Sequence, residues 1–206
     1  MNAQNLKEAM GYISTVMTAN RDYLVELDSK NGDGDLGISM SSGYQAVKVY
    51  LEGTEETDLG KLFMKCSSVF NESAPSSLGT ITAFGMMGMA KRLKKKTDCT
   101  LAELADAMDA GIQLIMEKAK SKTGEKTILD ALSPAVEALK AHACEDAKTA
   151  FAAAAQAAEE GSESTKQMRS VHGRAAYYGD KSIGMLDGGS VVGKLIFAGI
   201  LAYCER

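Results

Sequence analysis

The chain has 206 residues, 45% of them hydrophobic, and a formal net charge of −4; that length is enough for one good-sized domain with its own core. An ordinary apolar fraction and a mildly acidic balance exclude a disordered chain and a nucleic-acid-binding surface. Apolar runs fall short of the ~18 residues of a membrane span, and Met1-Asn2-Ala3-Gln4 does not open a signal peptide, so a cytoplasmic protein with no membrane contact is expected.

Helix follows helix along the chain, with no alternating β-branched runs and only 2 prolines, so the expected fold class is all-α. Asn2 to about Leu27 forms the first helix, its Leu6, Met10, Ile13, Met17, Leu24 and Leu27 recurring near the helical period. Ser39 to Leu51 is the second and Asp58 to Phe70 the third, with Asp58 as its N-cap. Thr80 to Lys95 is the fourth; the basic run Lys91-Arg92 and Lys94-Lys95-Lys96 suits a solvated helix end, where cations meet exposed carbonyls. Thr100-Leu101-Ala102-Glu103 has the spacing of a capping box and opens the fifth helix, which runs to about Lys120. The sixth spans Thr127 to Ala143, with Pro134 in its first turns or at a kink. Asp146 to Glu160 is an Ala-rich seventh, and Ser190 to Cys204 an eighth that is apolar on most sides. Met86, Met87 and Met89 read as core packing. Cys66, Cys99, Cys144 and Cys204 lie far apart without a CxxC pair and read as reduced thiols. No linker or repeat divides residues 1–206, so one domain is expected.

Glycine and small polar residues concentrate in the connections 28–39, 73–80, 121–127 and 173–190. Three join an odd helix to the next even one, and the last joins the seventh to the eighth. If neighbouring helices run up and down, all four emerge at one end, where a site assembled from loops is expected.

The first connection carries the strongest chemistry. Asp28, Asp33 and Asp35 crowd hard oxygen ligands onto a pliable Gly32/Gly34/Gly37 backbone, a donor set for magnesium or calcium. An EF-hand register from Asn31 puts Leu36 where glycine is needed and Ser42 where a bidentate glutamate is needed, so that motif is rejected. An Asp/Gly turn capping the next helix is the plainer alternative; three carboxylates with no neighbouring Lys or Arg repel one another, however, and a cation relieves that. In residues 74–85, small residues and Gly79 precede a helix, so free amides are available to an anion. Residues 173–190 hold Arg174 among small residues and the Asp187-Gly188-Gly189 turn, where backbone approaches a ligand closely. No triad, nucleophilic cysteine or catalytic histidine is evident; His142 reads as a helix-surface residue and His172 as structural. Walker A and protein-kinase signatures are absent. Carboxylate-held metal beside anion cradles points to a phosphate-bearing ligand, most simply a nucleotide, and phosphoryl transfer needs little covalent chemistry from protein.

These stretches together resemble the nucleotide-binding L subunit of dihydroxyacetone kinase. They stand here as Asp28 with Gly32-Asp33-Gly34-Asp35-Leu36-Gly37, Ser77-Leu78-Gly79, Gly124-Glu125-Lys126-Thr127, and Gly173-Arg174-Ala175 through Tyr177, Gly179-Asp180-Lys181-Ser182 and Gly184 to Asp187-Gly188-Gly189. The resemblance implies an eight-helix antiparallel up-and-down barrel with ADP or ATP in loops at one end. It implies two magnesium ions on Asp28, Asp33 and Asp35. Nucleotide contacts are implied for Leu36, Gly37, Ile38, Ser39, Ser77, Leu78, Ala119, Ile128, Arg174, Asp187, Gly188 and Gly189, and no catalytic residue. It further implies a separate K subunit that holds the sugar and, in one branch, a phosphotransferase-system donor; the oligomeric state, a homodimer included, stays open. The family usually has His or Thr at the place of Leu36, Asn at Ser39, Ser at Leu78 and Pro at Gly188.

Overall fold

In the computed structural model, which describes residues 1–206, the expected first helix is two helices. α1 (Ala3–Ala19) starts at a capping box in which Asn2 and Asn5 each accept the other's backbone N–H through a side-chain oxygen. It stops at Asn20, whose side chain donates to the Val16 carbonyl at 2.9 Å and competes with the backbone for a helical acceptor. α2 (Arg21–Asp28) follows. The apolar period runs through the break, because Met17, Leu24 and Leu27 are all buried, and so the sequence pattern conceals it.

The other helices fall within four residues of their expected ends: α3 (Leu36–Glu52), α4 (Leu59–Ser73), α5 (Ser77–Arg92), α6 (Leu101–Ala119), α7 (Leu129–Ala141), α8 (Ala147–Ser164) and α9 (Gly188–Cys204). Two 3-10 segments, Thr165–Gln167 and Arg174–Ser182, lie between α8 and α9. Asp58 caps α4, and Thr100 and Glu103 form the capping box of α6. Pro134 sits inside α7.

α1 packs on α3, each later helix packs on the next, and α9 returns to α1, closing an antiparallel barrel. Met17, Met40, Phe63, Phe70 and Phe197 are among its fully buried side chains, and the Tyr44 and Phe70 rings meet edge-on with centroids 4.9 Å apart. Side chains such as Met10, Phe63, Met86, Ile112, Phe151 and Phe197 surround an apolar cavity of about 500 Å³ inside the barrel. The four cysteines are free thiols, and Cys66 and Cys99 are buried. No helix is long and apolar enough to cross a membrane.

Candidate functional site

Because the helices alternate in direction, α3, α5, α7 and α9 all begin at the same end of the barrel. The connections before them are tied together there. Ser76, the N-cap of α5, donates to the Ser39 hydroxyl in the first turn of α3 at 3.3 Å. Arg174 pairs with Asp33 at 2.8 Å. His172 Nε2 lies 2.6 Å from Glu125 Oε2, so the third and fourth connections also meet. The four loops inferred from the sequence therefore share one end. Four helix N-termini turn positive dipole ends toward that region, and α3, α5 and α9 add unsatisfied amides, whereas the first amides of α7 are bonded to Thr127 and Ile128; the setting favours anions.

The acidic cluster is formed as its residue types require. Asp28, Asp33 and Asp35 each offer a carboxylate oxygen, and these atoms lie within 4.8 Å of one another. Asp28 also holds the turn, accepting from Gly34 N–H at 2.8 Å. Asp35 occupies the N-cap position of α3 but makes no capping bond with its side chain, so the plainer cap reading fails at that residue. Burial, then the Asp33 and Asp28 charges, push the Asp35 carboxyl above its ordinary range. Three hard carboxylate oxygens at this spacing, one destabilised in its charged form, fit a magnesium-like cation. One expectation is corrected. The cluster is not free of neighbouring cations: Lys30 stands in the same turn, its ammonium 3.6 Å from Glu26, and the exposed guanidinium of Arg174 reaches Asp33 across the loops.

The remaining residues singled out from the sequence lie at the starts of α3, α5, α7 and α9 and, for Ala119, at the end of α6. Leu36, Gly37 and Ile38 form the first turn of α3, where their amides have no intrahelical acceptor and no side-chain cap. Gly37 is required by packing: a Cβ there would sit 2.0 Å from the Arg21 carbonyl oxygen. Ser39 is buried, with its hydroxyl donating to Leu36 O at 3.2 Å. Ser77 and Leu78 open α5, Ser77 exposed and Leu78 partly buried against the core. Ala119 is the last residue of α6, and buried Ile128 precedes α7 and lines the apolar cavity. Asp187 caps α9, its carboxylate accepting from Ser190 N–H at 2.6 Å, and Gly188 and Gly189 are the first residues of that helix. Burial raises the Asp187 carboxyl to about 7, opposed by its cap bond and the nearby Lys126 charge. A Cβ on Gly188 would lie 2.6 Å from Leu36 Cδ2, so the apolar side chain at 36 fills space that a larger residue at 188 would take.

The sequence reading assigned no role to two charged residues, Lys126 in the third connection and Asp130 in the first turn of α7. The Asp130 carboxylate accepts from the Gly124 and Thr127 amides and folds the turn back on α7. Lys126 is only 3% exposed, in left-handed backbone (φ 61), and its ammonium donates to the carbonyls of Thr165, Met168, Ser182 and Met185. The available signal was a Lys and an Asp four apart in the otherwise apolar stretch leading into α7.

Comparison with known proteins agrees with this architecture. The model of the DAK2 domain matches residues 30–202. The chain is 30% identical over 182 residues to the ADP-binding subunit DhaL of PEP-dependent dihydroxyacetone kinase 1 from Listeria innocua, covering 88% of this chain and 87% of that one. It is 31% identical over 192 residues to triokinase/FMN cyclase from Rattus norvegicus, covering 92% of this chain but 33% of that longer protein. The fold superimposes on the dihydroxyacetone kinase of C. freundii in its native form with a TM-score of 0.78 at 20% identity, over 98% of this chain and 34% of that one. The same enzyme in complex with AMP-PNP and Mg2+ matches with a TM-score of 0.75 at 19% identity, over 95% of this chain and 33% of that one. With its four-loop end, its helix order and these matches in agreement, the chain belongs to the DAK2 domain family.

Proposed function

We propose that the chain binds ADP or ATP through magnesium at the four-loop end. In this reading it delivers a phosphoryl group, as one subunit of a dihydroxyacetone-type kinase, to a small keto-sugar held on a separate K subunit. The observation that carries the proposal is the cluster of Asp28, Asp33 and Asp35 oxygens within 4.8 Å of one another, set among the first turns of α3, α5 and α9. The ADP-binding relative from Listeria innocua supports a nucleotide here, and the AMP-PNP and Mg2+ complex of the C. freundii enzyme supports a metal beside it on this fold. That relative's dependence on PEP supports a phosphotransferase-system donor that recharges bound ADP.

In this reading Asp28, Asp33 and Asp35 hold two magnesium ions. Bound magnesium neutralises phosphate charge and orients the transferring group. The chain's own residues do the rest by positioning. The free amides of Leu36, Gly37, Ile38, Ser77 and Leu78 donate to phosphate oxygens, with the Ser39 hydroxyl beside them. Arg174 supplies the fixed positive charge of the last connection. Ala119, Ile128 and the Asp187-Gly188-Gly189 turn bound the pocket for the rest of the nucleotide. The terminal phosphoryl group leaves its nucleotide oxygen for a sugar hydroxyl oxygen, whose proton passes to solvent or to a base on the K subunit. No residue of this chain is assigned to take that proton, and phosphoryl transfer depends mainly on positioning and charge neutralisation.

Leu36 and Leu78 favour a second reading, a nucleotide–magnesium-binding regulatory protein with weak or no transfer. Each is apolar at the anion end, and losing a charge-assisted hydrogen bond costs roughly 1–3 kcal/mol. One experiment separates the two. Alone with ATP, magnesium and dihydroxyacetone, the chain forms no phosphorylated sugar in a coupled assay; with a cognate K subunit it does. In that complex Arg174→Ala lowers the rate at least about tenfold, the order of loss when a fixed charge at a phosphoryl site is removed. Robust activity from the isolated chain contradicts the subunit assignment, and a silent pair with firm magnesium-dependent ADP binding favours the regulatory reading.

A further inference from the structure

Residues 165–187 return close to where they start. Gly184 N–H donates to Lys166 O at 2.7 Å, Ser170 N–H to the Ser182 hydroxyl at 2.9 Å, and Asp187 N–H to the Thr165 hydroxyl at 3.2 Å. The segment is thus a loop with a bonded base, 165–170 against 182–187, and a tip, 171–181, that carries Arg174 and the 92%-exposed Tyr177. Lys126 is buried beneath that base. Its ammonium donates at 2.8 Å to Thr165 O, 3.2 Å to Met168 O, 2.7 Å to Ser182 O and 2.6 Å to Met185 O. Two of these carbonyls lie on the incoming arm of the base and two on the outgoing arm. No carboxylate makes an ion pair with Lys126. A cation removed from water in this way is costly unless its donors are satisfied. A compact ammonium meets a cage of carbonyl oxygens that a planar guanidinium does not match.

We infer that Lys126 is a positioning residue for nucleotide binding: it clasps both arms of the 165–187 loop, fixing the Asp187-Gly188-Gly189 turn and aiming the Arg174 tip at the acidic cluster. This rests on the nucleotide reading of the site. The clasp holds the base of the loop, while the tip is tied to the other connections by the Arg174–Asp33 and His172–Glu125 contacts. It leaves the 28–35 turn untouched, so metal binding by the carboxylates and nucleotide binding respond differently to its loss.

The test uses the full chain and its Lys126→Met variant, which keeps stem length and removes the ammonium. Calorimetry with ADP in magnesium is expected to show affinity weakened ten- to a hundredfold. Mn2+ titration followed by electron paramagnetic resonance is expected to show metal affinity that does not fall. Hydrogen exchange at the Ser170, Gly184 and Asp187 amides is expected to accelerate while α3–α6 keep their protection. Unchanged ADP affinity with unchanged exchange at those amides overturns the clasp. A parallel fall in Mn2+ and ADP affinity also overturns it, because it marks a general loss of structure. If the variant does not fold, the wild-type chain decides: without ligand, those three amides must be protected, and fast exchange at all three overturns the inference. If wild type does not bind magnesium–ADP, the nucleotide reading fails, and exchange alone then judges whether Lys126 holds the loop.

Discussion

Asp33 faces two demands at once. It lies in a cluster of like charges, and it pairs with Arg174 through side chains that are both exposed. An exposed ion pair contributes about 0–1 kcal/mol, and replacing Asp33 also relieves repulsion from Asp28 and Asp35, so the two effects nearly offset in the ligand-free protein. Asp33→Asn should therefore leave helicity and melting temperature within a few degrees of wild type, while magnesium and ADP affinity fall at least about tenfold. A collapse of ligand-free helicity in circular dichroism would show that Asp33 is a structural cap. The acidic cluster was legible in the sequence because three carboxylates within eight positions have few structural uses. The Arg174 pairing was not legible, since it joins residues 141 positions apart. Lys126 was hidden for a related reason: its partners are backbone carbonyls, and no sequence pattern encodes which carbonyls converge on a lysine.

Among the elements, α9 shows how one cap serves both fold and site. Asp187 terminates the long connection, accepts from Ser190 N–H, and is pushed up to about 7 by burial. A carboxyl whose folded value lies above its unfolded value near 3.9 contributes stability below that unfolded value and loses it as pH rises through about 7. Asp35 is shifted in the same direction, by burial and then by its acidic neighbours. Glu103, held down to about 2 by its bond from Lys96, acts in the opposite sense, but its contribution is lost only below the ordinary carboxylate range. Between pH 5 and pH 8 the ligand-free protein should melt at a lower temperature as pH rises. Asp187→Asn, which keeps an N-cap oxygen, should flatten that slope in thermal scans; a slope unchanged by the substitution would contradict the raised Asp187 carboxyl. Helix limits were readable because caps such as Asp58 and Thr100 have local signatures. The break at Asn20 was not, because burial of Met17, Leu24 and Leu27 preserves one apolar period across both helices.

At the scale of the molecule, neighbouring helices alternate in direction, and alternation gathers four glycine-rich loops at one end. That inference needed only the order of helices, so it survived the miscount of the first one. The closure of α9 on α1 and the apolar cavity within the barrel were not visible in any periodicity, since both depend on which faces meet in space. The central claim is that the four-loop end is a magnesium-dependent nucleotide site. Without cations, Asp28, Asp33 and Asp35 repel a diphosphate; the two magnesium ions of the proposed site would invert the sign of the local field. Isothermal calorimetry of ADP into the purified chain, once in magnesium and once in EDTA, tests this most directly. The account predicts saturable binding in magnesium and at least about a hundredfold weaker binding in EDTA, the scale on which metal bridging outweighs direct amide contacts; equal affinity in the two buffers would contradict it.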